Sequence, residues 1–243
     1  MIRTICKVTA RVLSDADRVS DILEKFAVDV LRKTLWVFLL MVALSQIGIE
    51  MMPIIAGLGV AGFIVGFAFQ ESLGNLAAGL MVLLNAPFKI GDFVEAAGVS
   101  GVVKGLNLMA TTLTTPDNKL VICPNSSIWG SSITNYSAMA TRRVDMVVGI
   151  SYSADISEAK TLISGVLAGD DLVLSDLEPV VEVVEMADSS INLVVRPWCK
   201  TEDYWAVYFK MNHELKDLLD KNGIEIPFPQ MDVHHHNDSE NAP

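Results

Sequence analysis

The side chains able to supply a nucleophile or a base are few. Cys123, Cys199 and His213, together with Ser and Thr residues, hold the atoms of a catalytic triad. None of them sits in a recognisable nucleophile turn, and Cys199 follows a strand pattern that reads as structural. His234, His235 and His236 form a short tract that can hold a metal or can be a solvated tail, and the tail is the better reading. Cys6, Cys123 and Cys199 are far apart and odd in number, which gives neither a disulfide framework nor metal-ligand spacing and suits a reducing compartment. The glycines gather in an apolar run, not after a strand, so no phosphate-cradling loop is present. The expectation is a chain that is not an enzyme, with no cofactor and no metal.

The residues that remain act by shape and by dewetting. The run at residues 56–79 is apolar enough to enter a bilayer and dense in Gly and Ala, which weaken an isolated helix in water. At about 100° per residue, Phe63 and Phe67 share one helix face, with Gln70 almost in line below them. Gly59, Gly62 and Gly66 lie to one side of that line, and Gly57, Ala61 and Ala68 lie on nearly the opposite side. Ile54, Leu58, Val65 and Phe69 point away from Phe63. Small residues in an apolar helix permit close helix approach. A single Gly-x-x-x-Gly, here Gly62 and Gly66, is explained by an ordinary membrane helix. Two smooth flanks separated by aligned aromatics are better explained by copies closing into a ring, with Phe63 and Phe67 at the axis as a hydrophobic constriction.

The elements that must position this helix follow from the rest of the chain. It has 243 residues, enough for a membrane part and one or two small soluble domains, and a formal charge of −11 that speaks against a nucleic-acid partner. Residues 1–33 read as an amphipathic N-terminal helix, with Val19, Ile22, Leu23, Phe26, Val30 and Leu31 at helical spacing. No cleavable signal peptide is expected. From residue 34 to 69 the only charge is Glu50, which leaves room for two spans of roughly 20 residues. The first is placed at 34–49, with Trp36 as an interfacial anchor. Pro53 opens the second, a pore helix at 53–85 inside a transmembrane domain at 34–88. Arg32, Lys33 and Lys89 flank the pair on one side, which puts both ends in the cytoplasm. Gly74 suggests a kink that would let the later half lie at the interface, against the alternative of a straight helix leaving the membrane.

Beyond the membrane part, residues 89–143 read as a β domain, a small barrel or sandwich with strands at 93–96, 101–103, 111–114 and 120–123. Residues 144–227 follow the strand–helix–strand–strand–helix–strand order of a ferredoxin-like α/β domain, with a final strand at 224–226. Residues 228–243 read as one short terminal strand and a polar tail. Trp129, Tyr136 and Trp198 read as packing residues. Arg142 and Arg143 either line openings or pair with acids.

Several of these motifs together resemble the MscS-type small-conductance mechanosensitive channels. They are the run from Gly59 to Gly79, Pro87-Phe88-x-Ile90-Gly91-Asp92-x-Val94, Pro124-Asn125, Asn135-Tyr136-Ser137, and Ile226-Pro227-Phe228-Pro229-Gln230-Met231-Asp232-Val233. The resemblance covers most of the chain from about Leu35 onward. It implies a homoheptamer in a prokaryotic inner membrane, multi-pass, with a β domain, a mixed α/β domain and a small C-terminal barrel forming a hollow cytoplasmic vestibule. It also implies a channel opened by membrane tension, with lipids, inorganic ions, small solutes and copies of itself as partners, releasing solutes on hypo-osmotic shock. The pore-sealing positions fall on Phe63 and Phe67, and the family's glutamine and asparagine on Gln70 and Asn75.

The chain departs from the family's pattern in three places. The sealing residues are Phe, not Leu. The glycine at which the family's pore helix bends is Glu71 here, so the bend is expected at Gly74 or Gly79, or held differently. Glu71 itself either places negative charge at the pore mouth or anchors the second helical half. The family also has a further span before these two, and residues 1–33 do not read as one. A related channel gated by a ligand or by voltage is the second reading.

Overall fold

The structure is a computed structural model that describes residues 2–14 and 21–234. The chain separates into two compact units, one up to Leu73 and one from Gly74 onward.

The first unit is helical. Helices α1 (Ile2–Ser14) and α2 (Asp21–Gln46) pack on each other, with Cys6 and Val28 buried. Helix α3 (Met52–Ala68) follows, with Pro53 in its first turn. The separate amphipathic helix expected before residue 34 is corrected: from Asp21 it is the first half of α2, which runs on into the apolar stretch. Backbone hydrogen bonding does not stop where charge stops, because Lys33 and Thr34 are both compatible with a helix interior. Val19 lies outside the described residues.

The expected first span is likewise not a helix of its own. The uncharged part of α2 within the helix, residues 34–46, falls short of the roughly 20 residues a span needs. Among the described residues no single helix is long and apolar enough to cross a membrane. Helix α3 and α4 (Gln70–Asn85) meet that requirement as a pair bent by 59°.

The second unit begins in α4 and contains two cores. Strands β1 (Phe93–Ala96), β2 (Val99–Leu106), β3 (Ala110–Thr114), β4 (Leu120–Pro124) and β5 (Thr134–Asn135) form one antiparallel sheet in the order β4-β3-β2-β1-β5. The β1–β2 hairpin turns on Ala97 and Gly98, both at positive φ (50° and 75°), the backbone that two-residue hairpins require. The sheet's buried face carries Val94, Val103, Leu113 and Cys123, and Val82 of α4 and Phe88 are buried with them. Short helix α5 (Asn125–Trp129) adds Ile128. Within one chain this is an open sheet, not a closed barrel.

The second core lies under β7 (Met146–Ile150), β8 (Val180–Met186) and β9 (Ile191–Arg196), in the antiparallel order β7-β9-β8. Helices α6 (Ile156–Ala168) and α7 (Tyr204–Lys221) cover it with Ala159, Ile163, Leu167, Val207, Met211, Leu215 and Leu219, one apolar stripe per helix. Asp155 caps α6 by accepting from the N–H groups of Ser157 and Glu158. Strands β6 (Thr141–Arg143) and β10 (Trp198–Lys200) pair separately.

The order matches the ferredoxin-like expectation except at its end. Residues 224–226 form no strand; Glu225 O accepts the N–H of Ser151, the residue just after β7, at 2.9 Å. Pro227 follows at once and removes the next donor, so the ladder cannot extend. Residues 228–234 also form no strand. Gln230 N–H donates to Ser189 Oγ at 3.0 Å, and no sheet edge of the same chain pairs with the segment. His235, His236 and the rest of the tail lie outside the described residues.

Candidate functional site

Helix α3 has no buried residue along its 17 positions. Phe63 and Phe67 are 70% and 67% exposed, and their rings sit in contact one turn apart, 5.7 Å between centroids. The i, i+4 spacing puts them on one face, as the wheel required. Gly57, Gly59, Gly62 and Gly66 are open on both flanks: a Cβ built on any of them meets nothing within 4 Å. Ala61 and Ala68 are exposed in the same way. The structure thus brings the aligned aromatics and the two small-residue flanks onto a single bare helix.

The helix ends at Phe69, whose φ of −97° and ψ of 1° leave the helical region, and α4 starts again at Gln70. The break therefore precedes Gln70 and Glu71, both exposed in the first turn of α4. The expected bend at Gly74 or Gly79 is corrected, since both lie inside an uninterrupted α4. Gly74 has open space around its Cα. Gly79 has a different task. A Cβ there would run into Asn125 Nδ2 and the carbonyl oxygen of Leu108. Only glycine lets α4 approach the β domain this closely.

What Gly79 touches is a buried polar knot. Asn125 is fully buried; its Oδ1 accepts from Thr111 Oγ1 at 2.8 Å and its Nδ2 donates to Asn107 O at 2.9 Å. Its own N–H donates to Met109 O at 3.0 Å. Next to it, Asn75 Oδ1 accepts the N–H of Ser126 at 2.9 Å. Ala78, Gly79 and Val82 are the buried face of α4. The later half of the glycine-rich run is therefore a docked helix, seated on the β sheet through the close approach at Gly79, the buried Val82 and the Asn75 bond. The sequence showed Asn75 and Gly79 as members of the run; their long-range partners lie far along the chain and left no local signal.

The two arginines separate. Arg143 and Arg196 both pair with Asp145, at 3.0 and 2.8 Å. Arg142 lies instead over two rings, its guanidinium carbon 3.8 Å from the Tyr204 centroid and 5.0 Å from that of Tyr136. The Tyr136 hydroxyl donates to Glu95 at 2.8 Å, which pushes the phenol's pKa up.

The triad candidates do not meet. Cys123 lies in the β-domain core and Cys199 in the α/β core, and burial pushes both thiols up in pKa. His213 stands on the exposed side of α7, near Asp217. Tyr136 packs on Phe93 and beneath Arg142, as expected of a packing residue, though it is only partly buried, and Trp129 is 40% exposed.

Three sequence families match successive parts of the chain: residues 29–70 the family described as mechanosensitive ion channel, transmembrane helices 2/3; residues 71–138 the mechanosensitive ion channel β-domain; and residues 144–226 the C-terminal part of mechanosensitive ion channel MscS. A small-conductance mechanosensitive channel of Edwardsiella ictaluri is 45% identical over 72% of this chain, which spans 61% of that relative's length. An uncharacterised MscS family protein of Synechocystis is 36% identical over 86% of this chain and 71% of its own length. Among solved structures, that of Helicobacter pylori MscS in its closed state superposes with a TM-score of 0.85 at 28% identity, covering 98% of this chain and 99% of that one. The chain belongs to the MscS family of mechanosensitive ion channels.

Proposed function

We propose that this chain is the subunit of a tension-gated channel in a prokaryotic inner membrane, assembled as a homoheptamer with its β and α/β domains in the cytoplasm. The observation that carries the reading is the bare α3: a fully exposed apolar helix with two aromatic rings in line between two glycine flanks. Such a helix has to be covered by lipid and by its own copies. Rings of Phe63 and Phe67 then form a dewetted neck that blocks ions at rest. Opening tilts and separates the helices along their smooth flanks. Tension favours the state with the larger membrane area, which is the differential interaction that any population shift requires. Helix α4 carries the movement to the β domain through Asn75 and Gly79, and lipids around α1 and α2 transmit the force. Inorganic ions and small solutes pass on hypo-osmotic shock.

The test is Phe63→Ser in excised patches. A hydroxyl in the neck wets it, so current at zero applied tension is the expected result; a silent resting state indistinguishable from wild type counts against the neck. Native mass spectrometry of the solubilised assembly tests the subunit number, with seven expected.

A further inference from the structure

We infer that the cleft beside Arg142 binds a small organic anion, a carboxylate carried on an aromatic body. The cleft lies within the unit that starts at Gly74, against strands β1 to β3 and the start of α7, and has a volume of about 900 Å³. That is within the range of roughly 300–1,000 Å³ usual for small-molecule sites. Phe93, Tyr136, Tyr204 and Trp205 supply aromatic walls, Thr114 a hydroxyl, and Arg142 the one formal charge among its lining residues.

The state of Arg142 points to the ligand's charge. Its guanidinium carbon lies over the Tyr204 ring and within reach of the Tyr136 ring, and no hydrogen bond of its N–H donors to a protein acceptor is seen among the described residues. In a chain with 29 acidic residues, no carboxylate among the described residues lies within ion-pair distance of Arg142, whereas Arg143 and Arg196 share Asp145. Of the acids beside the aromatic wall, Glu95 already accepts the hydroxyl of Tyr136, and Asp203, which precedes Tyr204, makes no ion pair with Arg142. A planar fork of donors matches a carboxylate two bonds at a time. The walls select the body: Trp205 is 60% exposed, and a flat ring laid against it recovers apolar area that a bare inorganic ion would leave wet. A cationic ligand would meet Arg142 head-on. The site lies wholly within the second unit, and its occupancy needs no ionic current to be observed.

The experiment is calorimetric titration of the full chain in nanodiscs with 2-naphthoate, with empty nanodiscs subtracted and the neutral 2-naphthylmethanol as control. Saturable binding at one site per chain is expected for the acid and weak, unsaturated uptake for the alcohol. Arg142→Gln should weaken naphthoate by roughly tenfold or more, and Arg142→Lys should not restore it, because an ammonium lacks the planar fork. Trp205→Leu should weaken the acid while leaving the charge in place. Melting temperature and oligomer size show that each variant is folded. The proposal is overturned by any of three results: no saturable naphthoate binding to wild type, equal affinity for acid and alcohol, or undiminished binding in Arg142→Gln. Should Arg142→Gln fail to fold, undiminished binding in Trp205→Leu overturns it equally.

Discussion

Asn75 accepts the backbone N–H of Ser126 across 2.9 Å, and so ties α4 to the first turn of α5. The bond joins the helix that continues from the candidate pore segment to the sheet that opens the second unit. A side-chain bond of this kind contributes about 1 kcal/mol net. Asn75→Ala should therefore leave the β sheet intact while loosening α4 on it. Hydrogen exchange checks this directly: the Ser126 amide is expected to exchange faster in the variant, with amides of β2 and β3 unchanged. Unaltered protection at Ser126 would mean that the tie carries no weight.

Gly74 and Gly79 lie in the same helix and should respond with opposite sign to the same substitution. Around Gly74 there is open space, so Gly74→Ala adds helix propensity and stabilises by up to about 1 kcal/mol. At Gly79 the new methyl group runs into the Leu108 carbonyl and the Asn125 amide. Overpacking against backbone costs about 1–3 kcal/mol or more, so Gly79→Ala should lower the melting temperature or detach α4. Thermal unfolding of the two variants side by side decides it.

Glu71 sits in the first turn of α4, directly after the break that follows the Phe63–Phe67 line. If it faces the pore mouth, Glu71→Gln removes a ring of negative charge and shifts the reversal potential towards anions in a salt gradient. If it anchors α4 instead, selectivity stays constant and the gating threshold moves. Excised-patch recordings separate these outcomes, and the pore-mouth reading predicts the first.

Cys123 and Cys199 are 5% and 0% exposed, and burial raises both thiols in pKa. The reactive species is the thiolate, so at neutral pH neither should react with a disulfide reagent in the native protein. Both should react once the chain is unfolded in denaturant. Rapid native labelling of either would contradict the packing of the core that holds it.

The legible part of this fold was the part encoded in local spacing. Phe63 and Phe67 four apart, and the glycines around them, announce themselves on any helical wheel, and the alternation of strand and helix beyond residue 144 placed α6 and α7. The bend was not legible because nothing about Phe69 marks a helix end: a glycine is the residue one would pick, and the chain instead breaks between two turns that each form good helix on their own. Gly79 was misread for the same reason. Its purpose lies in Leu108 and Asn125, which reach it only through the folding of the β sheet. The strand expected at 224–226 failed at Pro227, whose ring takes away the donor that a ladder would have used.

The nakedness of α3 has a consequence for how this protein comes into being. A segment in which every side chain looks outward has no interior of its own to mature around. Its cover has to come from outside the chain, from lipid and, in the proposed ring, from its own copies. A protomer kept solitary in a bilayer should keep its helix, whose backbone bonds are internal, and leave only the two glycine flanks without a partner to pack on.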